Sequence, residues 1–507
     1  DIAVSGGSQH WTYADLRNRA DVAAAGFRTL DLEAGERVIV QLTNIPEFLS
    51  VSFGLFRAGL VPVFALPAHR RAEISHFARK AEAAAIVVGP ADGFDYVTLA
   101  RDIRGESECL RHVITVGTTA PGCAAFDAFR PDPQLLPDDV GQSTDVALMQ
   151  ISGGTTGLSK LIPRTHADYL YSCRASADIC GLDANTVYLG VLPVAHNFPM
   201  SSPGIFGTLS AGGRVVLCTS PSPETAFPII EREGVTMTAL VPPLALLWLQ
   251  AAEKKQVNLN SLAVLQVGGA KLMPETARRV QPTLGCKLQQ VFGMAEGLVN
   301  YTRLDDSDTT VNETQGRPIS PDDELLILDD QGNRVADGVP GHLLVRGPYT
   351  IRAYHNEPAA NERSFTDDGF YRTGDIVCRR DDGYLVVQGR ATDHINRAGE
   401  KISAEEVEDH LLAHDNVFDA AVVAVPDAYL GERSCAFVIA EGDKPKSIAL
   451  KAWIRARGLA EFKVPDQIVF VDSFHTTAVG KISRKELRQA LREQLSEPQA
   501  SDNGAAR

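Results

Sequence analysis

The sequence predicts an α/β protein: a large N-terminal domain of parallel sheets covered by helices, a small β-rich subdomain at its end, and a smaller α+β C-terminal domain. Three observations carry this expectation. From residue 12 to about 290, short β-branched runs alternate with amphipathic stretches, as they do where helices cross over between parallel strands. Between about 300 and 390 the texture changes to strands and turns, as in "ELLILDDQGN", "GHLLVRG" and "DDGYLVVQGR". After "GRATDHINRAGEKIS" (389–403) a new unit opens, with a capping box spelled by Ser403-Ala-Glu-Glu406.

In chain order the predicted strands of the large domain are "RVIVQL" (37–42), "AAIVV" (84–88), "HVITV" (112–116), "RVVLC" (214–218), "VTMTALV" (235–241) and "AVLQVGG" (263–269). The C-terminal unit adds the strands "AAVVAV" and "CAFVIA" and a final helix opened by Ser483-Arg-Lys-Glu486. The boundary is placed at Asp393, which gives domains at 1–392 and 393–495 and a disordered tail at 496–507.

At 507 residues the chain is too long for one ordinary core. Its 44% hydrophobic and 22% charged residues are those of a globular protein, and a net charge of −15 argues against a nucleic-acid partner. Eight dispersed cysteines show neither C-x-x-C nor metal-ligand spacing, so buried or free thiols in a reducing cytoplasm are expected. The longest apolar run, "LVPPLALLWL", is short for a membrane span and interrupted by two prolines. The chain opens on Asp1 in strand-like sequence, as a trimmed chain would.

The string "SGGTTGLSK" (152–160) has the glycines, hydroxyls and lysine of a phosphate loop without the P-loop spacing. Taken alone, a Gly-rich turn explains it equally well. Six further polar clusters fall where strands end: "PVAHNFPMSSPG" (193–204), "QVGGAKL" (266–272), "QQVFGMAEG" (289–297), "YRTGD" (371–375), "GRATDHINRAGEK" (389–401) and "TAVGKISR" (477–484). Together and in this order they resemble the signature set of the adenylate-forming superfamily, and the likeness is greatest to its 2,3-dihydroxybenzoate-AMP ligases of catechol siderophore synthesis.

The resemblance implies a fold of two α/β sheet subdomains plus a small β-rich subdomain, with a mobile α+β C-terminal domain. It also implies ATP and Mg²⁺, and a reaction in which a carboxylate attacks the α-phosphate to give an acyl-AMP that a thiol then takes. Ser152, Gly153, Gly154, Thr155, Thr156, Gly157 and Lys160 would cradle the leaving phosphates, and Gly293, Met294 and Ala295 would line the nucleotide site. Asp375 would accept from the ribose hydroxyls, with Arg390 beside it, and Glu296 would be the Mg²⁺-associated carboxylate. Lys481 would stabilise charge between the carboxylate and the α-phosphate, Asp393 would be the hinge, and Gly399, Glu400 and Lys401 would form the thiolation loop.

Relatives that activate amino acids carry an aspartate where this chain has Asn197. A neutral amide has no charge for an ammonium but can hydrogen-bond a phenolic oxygen beside a carboxylate. Ser202 would meet a 3-hydroxyl, a position at which salicylate-activating relatives tend to carry cysteine. Phe198, Gly269, Ala270, Lys271, Val291 and Val299 complete the expected pocket, and His196 is counted with Lys481 and Glu296 as catalytic, gating the pocket or packing beside the carboxylate, with a structural histidine as the alternative. Phe292 stands where many members have tyrosine, and "HTTAVGK" replaces a commoner proline-arginine form.

Fewer than thirty residues follow "GKISR", so the expected acceptor is a free-standing aryl carrier protein bearing phosphopantetheine. An aryl-CoA ligase and a salicylate-AMP ligase are the rival readings. A non-catalytic nucleotide-binding relative is a remote one, because a binder has no use for Lys481, Glu296, Asp375 and Arg390 at once.

Overall fold

Long apolar runs bounded by turn residues fold here into parallel strands buried on both faces. The computed structural model describes residues 1–90, 93–137, 141–153, 159–254, 257–398, 400–427, 429–477 and 480–496. They divide into two compact units, Asp1–Val387 and Gln388–Arg507.

Among the described residues the first unit holds two large sheets. One runs in the order Ala124–Ala125, His112–Thr115, Ala85–Val88, Arg37–Gln41, Val61–Phe64, Val146–Ile151, Leu161–Thr165, and only its last pair is antiparallel. The other runs Arg317–Pro318, Val299–Tyr301, Lys287–Gly293, Val264–Gly268, Met237–Leu240, Val187–Gly190, Arg214–Leu217, Ile2–Gly6, Gln9–Thr12, parallel in its interior and antiparallel at both edges. Its strands Val187–Gly190, Val264–Gly268 and Lys287–Gly293 carry three of the polar clusters, 193–204, 266–272 and 289–297, at their carboxyl ends, where open α/β sheets bind ligands.

The third sheet is the β-rich element: Glu324–Leu328, Gly341–Arg346, Tyr371–Arg379 and Leu385–Arg390. It begins later than the texture change near 300 suggests, because Val299–Tyr301 and Arg317–Pro318 extend the large sheet instead. The prolines of "LVPPLALLWL" likewise have a different role from interruption. They occupy the first turn of the helix Pro242–Lys254, where a missing N–H costs nothing.

In the second unit one sheet runs Glu400–Ile402, Ile395–Arg397, Gly431–Ala440, Val417–Asp427, with Gln467–Phe470 added parallel to Gly431–Ala440. Residue alternation assigns its two faces. Ala420, Val422, Ala436 and Val438 pack with Val407, Leu411, Leu450 and Ile454, while Ala421, Val423, Val425 and Phe437 pack with Leu487 and Leu491 of the helix Arg484–Ser496. Ser403 caps the helix Ala404–Leu412 by accepting from the Glu406 N–H. The reciprocal half of the predicted box is not made, since the Glu406 carboxylate pairs with Lys463 at 2.7 Å. Of the predicted tail, only Ser496 lies among the described residues.

Five cysteines are buried and all described cysteines are free thiols. Burial pushes the Cys173, Cys286 and Cys435 thiols up to about 12, so they behave as apolar packing groups. No described helix is long and apolar enough to cross a membrane.

Asp419 makes the second unit sensitive to pH. Burial first, and then the charge of Glu408, pushes its carboxyl up from 3.8 to about 7, against the opposing pull of the Ala420 N–H and Arg484. With the folded value above the unfolded one, the stability contributed is complete below about pH 4 and is lost as pH rises through 7. Asp419→Asn keeps an acceptor for the Ala420 N–H (2.8 Å) and has no charge to bury. It is expected to stabilise the unit by on the order of 2 kcal/mol at pH 8 and by little at pH 4. Urea melts at the two pH values check this, and an equal gain at both would contradict it.

Candidate active site

The phosphate-loop string stands in sequence between the antiparallel strands Val146–Ile151 and Leu161–Thr165, an edge pair of the first sheet. Its base is closed twice. The Ser152 N–H donates to the Lys160 carbonyl at 2.9 Å, and the Lys160 N–H donates to Ser152 Oγ at 2.8 Å. Gly153 follows the first of these, whereas Gly154, Thr155, Thr156 and Gly157 lie outside the described residues. The Lys160 ammonium sits 4.6 Å from the centre of the Tyr354 ring, a cation–π arrangement that holds the charge at the loop base.

Tyr354 is also the partner of Glu296. The turn carrying Gly293, Met294 and Ala295 is closed by the Met294 N–H on the Leu298 carbonyl (3.0 Å) and the Gly297 N–H on the Met294 carbonyl (3.2 Å). A Cβ on Gly297 would lie 2.7 Å from Thr350 Cα, so glycine is required for the turn to pack. Glu296, 8% exposed, accepts at Oε1 from the Tyr354 hydroxyl at 2.8 Å, and the Tyr371 hydroxyl lies 3.0 Å from the same phenol. Burial, then the Glu296 charge, holds the Tyr354 phenol well above its ordinary range, so it stays a donor. No hydrogen bond is recorded at Glu296 Oε2 among the described residues, which leaves that oxygen to a hard cation. Among the described residues no three His, Cys, Asp or Glu side chains gather as a metal cage. A cation here would therefore take the rest of its oxygens from phosphate and water, which suits Mg²⁺.

Arg164, the penultimate residue of the hairpin strand Leu161–Thr165 and 1% exposed, joins this turn to the side chains around Tyr169. Its guanidinium donates to Asp168 Oδ1 (2.8 Å), the Ala295 carbonyl (2.8 Å) and the Tyr349 carbonyl (3.2 Å), and lies 5.0 Å from the Tyr169 ring centre. Asp168 in turn closes a capping box with Thr165 at the start of the helix His166–Ile179, which presents Tyr169. Tyr354, Arg164 and Tyr169 were not expected from the sequence. The box Thr165-x-x-Asp168 was the one local signal near them.

The pocket residues are set by the short helix Asn197–Ser201. His196 caps it, its Nδ1 accepting from the Phe198 N–H at 3.3 Å, which puts the ring proton on Nε2. Asn197 is buried and accepts at Oδ1 from the Tyr169 hydroxyl (3.0 Å) and the Ser201 hydroxyl (3.2 Å). The Phe198 ring lies against Gly268, where a Cβ would stand 3.0 Å from Phe198 Cζ and 2.7 Å from the Val291 carbonyl. Val291 is paired with Gly268 on one side and Tyr301 on the other, and Ser202 is buried beside the Tyr301 phenol. Val299 is buried opposite Gly293. Gly269 takes φ +81°, so a turn opens directly after the strand. Ala270 is exposed, and the Lys271 ammonium donates to the Val387 carbonyl at 2.8 Å, tying this turn to the last strand. Asp375 is buried in the strand Tyr371–Arg379, its N–H on Thr373 Oγ1 at 3.0 Å.

The remaining candidates belong to the second unit. Lys481 ends a tight turn in which the Thr477 N–H donates to the Lys481 carbonyl (2.6 Å), the Gly480 N–H to the Thr477 carbonyl (2.8 Å) and the Lys481 N–H to Thr477 Oγ1 (3.2 Å). Arg390 precedes the single turn Ala391–Asp393, and Asp393 is paired with Arg488 and, at 3.8 Å, with Arg484. Glu400 and Lys401 open the second strand of a hairpin with Ile395–Arg397, in register Arg397↔Glu400 and Asn396↔Lys401. Gly399 lies outside the described residues. Ala398, at φ +51°, donates its N–H to the Leu430 carbonyl at 2.8 Å, and Arg397 is anchored on Asp466 at 2.8 Å.

Comparison with known proteins matches residues 1–355 to the family described as AMP-binding enzyme and residues 406–481 to the AMP-binding enzyme C-terminal domain. The chain is 56% identical over 495 residues to the 2,3-dihydroxybenzoate-AMP ligase of Bacillus subtilis (strain 168), covering 97% of this chain and 91% of that one. It is 48% identical to the salicyl-AMP ligase / salicyl-S-ArCP synthetase of Mycobacterium tuberculosis, over 95% of this chain and 85% of that protein. Among solved structures, apo MbtA of Mycobacterium smegmatis superposes with a TM-score of 0.74 at 48% identity, covering 96% of this chain and 91% of that one.

Proposed function

The chain belongs to the AMP-binding, adenylate-forming enzyme family, and we propose that it activates an aromatic carboxylic acid, 2,3-dihydroxybenzoate, with ATP and Mg²⁺ and transfers it to the phosphopantetheine thiol of an aryl carrier protein. The observation that carries the reading is the buried cluster of Asn197, Phe198, Ser202 and Val291 in the same sheet layer as the turn that carries Glu296. Flat and small groups fit a planar ring, and a neutral amide suits a 2-hydroxyl beside a carboxylate.

Attack of one anion on another calls for charge neutralisation and in-line placement. A carboxylate oxygen forms the bond to the α-phosphorus, the bond to the bridging oxygen breaks, and pyrophosphate departs. Ser152 and Lys160 hold the loop on the leaving phosphates, Asp375 orients the ribose, and Lys481 meets the charge shared by carboxylate and α-phosphate. Mg²⁺, when bound, neutralises phosphate charge, and Glu296 is the residue that would hold it. A thiol then attacks the acyl carbon and AMP leaves, a step in which the loop at Gly399, Glu400 and Lys401 takes part. Asp393 is the pivot between the two steps, at the junction of an adenylation domain (1–392) and a C-terminal domain (393–495).

A second reading, salicylate as the acid, has the support of the relative named as a salicyl-AMP ligase. ATP–pyrophosphate exchange with benzoate, salicylate and 2,3-dihydroxybenzoate separates the two. The dihydroxy acid is expected to give the highest kcat/KM, and exchange stimulated by no aryl acid would sink the enzyme reading. Ser202→Cys replaces a good partner of a 3-hydroxyl by a poor one, and is expected to shift the dihydroxybenzoate-to-salicylate ratio toward salicylate by about 5- to 10-fold. An unchanged ratio would remove Ser202 from the pocket.

A further inference from the structure

An asparagine offers a donor at one end of its amide and an acceptor at the other, so Asn197 selects a ligand only if something decides which end faces it. Buried side chains of the first unit make that decision. Gln150, Tyr169 and Asn197 are all buried and form a chain: Gln150 Nε2 lies 3.4 Å from the Tyr169 oxygen, and the Tyr169 hydroxyl lies 3.0 Å from Asn197 Oδ1. The same Gln150 nitrogen lies 3.4 Å from the Met200 sulfur. A thioether can only accept, so the amide nitrogen of Gln150 is the end that faces Met200 and Tyr169. The Tyr169 oxygen therefore accepts from Gln150, and its one proton goes to Asn197 Oδ1. The Ser201 hydroxyl lies 3.2 Å from that oxygen and 3.1 Å from the Asn197 backbone carbonyl, so its one proton is shared between the two. With Oδ1 held by the Tyr169 proton, Nδ2 is the end left for a ligand, and no bond from it is found among the described residues.

We propose that Tyr169 is the positioning residue that fixes the Asn197 amide with its N–H toward the substrate, making this position a donor that selects a 2-hydroxyaryl over a 2-aminoaryl carboxylate. The inference rests on the aryl-acid reading of the pocket. A phenolic oxygen flanked by a carboxylate accepts from Nδ2. An arylamine in the same place presents its own N–H groups to Asn197, leaving two donors facing each other. Arg164, 5.0 Å from the Tyr169 ring centre, and the capped helix hold the ring itself, so removal of the hydroxyl alone changes the amide's orientation without moving the phenyl group.

The test is exchange kinetics of Tyr169→Phe with salicylate and anthranilate. The variant is expected to raise the KM for salicylate about tenfold with kcat within a few-fold, and to lower the salicylate-to-anthranilate ratio of kcat/KM by a similar factor. In an Asn197→Ala background, Tyr169→Phe is expected to change neither value further, because its effect passes through Asn197. Gln150→Leu keeps the tyrosine and frees its proton, and is expected to move the ratio in the same direction by about two- to threefold, which covers a Tyr169→Phe chain that does not fold. Equal losses for both acids, or a full Tyr169→Phe effect in the Asn197→Ala background, would overturn the inference while leaving the aryl-acid reading intact. Failure of that reading is seen separately, as exchange that no aryl acid stimulates in the unaltered protein.

Discussion

Lys481→Ala is expected to lower aryl-acid-dependent ATP–pyrophosphate exchange by about 10³-fold, the scale on which preorganised charge acts at a developing transition state. Transfer from supplied aryl-AMP to the thiol is expected to stay within a few-fold, because that half-reaction breaks no bond at phosphorus and brings no carboxylate up to the α-phosphate, so it does not need a cation between those two anions. Backbone groups and Thr477 Oγ1 close the turn that ends at Lys481, and Gly480 at φ +80° lets the chain reverse, so these contacts remain when the side chain is shortened. Lys481→Arg is expected to recover little, since a planar fork does not replace a compact ammonium between two oxyanions. Equal loss of both half-reactions would mean that the second unit had been damaged as a whole. Unchanged exchange would remove Lys481 from catalysis.

The two kinds of site residue differ in how far the sequence reveals them. The interior strands, such as Arg37–Gln41 and Val264–Gly268, are legible because burial on both faces demands unbroken β-branched runs. The strands at the sheet margins are not: Val299–Tyr301 is three residues long, and only its pairings with Lys287–Gly293 and Arg317–Pro318 identify it. The polar clusters are legible because each is compressed into one short stretch of sequence, although 371–375 opens the strand Tyr371–Arg379 where a loop after a strand is expected. Tyr354 and Tyr169 act across the fold instead. The first reaches Glu296 and Lys160, and the second reaches Asn197, so neither has a local spacing to betray it. Arg164 is hidden for a similar reason, since a charged residue in an edge hairpin reads as solvated until the Ala295 and Tyr349 carbonyls are seen on its guanidinium. Glu406 fails in the opposite sense: its capping-box spacing is correct, but Lys463 offers a full charge where the helix end offers one N–H.

Glu296→Gln is the second large effect expected, a fall of about 10²-fold in exchange together with a rise in the Mg²⁺ concentration needed for half-maximal rate. Glutamine is close to isosteric and still offers an oxygen to the Tyr354 hydroxyl, 2.8 Å from Oε1 in the native protein, so the turn from Gly293 to Gly297 keeps its packing. What is lost is one negative charge at a buried position, and with it the ligand a hard cation would share with phosphate. Tyr354→Phe isolates the supporting contact. The ring beneath the Lys160 ammonium remains, 4.6 Å from the nitrogen, but Glu296 Oε1 loses its donor and the carboxylate can swing. A smaller fall of about tenfold is expected, with the Mg²⁺ dependence displaced in the same direction. The pair is informative because the two substitutions act on one carboxylate by different routes. If Glu296 holds the cation and Tyr354 holds Glu296, Tyr354→Phe adds nothing to Glu296→Gln. Independent, additive losses would separate Tyr354 from Glu296 and leave it with Lys160 and the phosphate loop, whereas an unaltered Mg²⁺ dependence in both variants would take the cation away from Glu296 altogether.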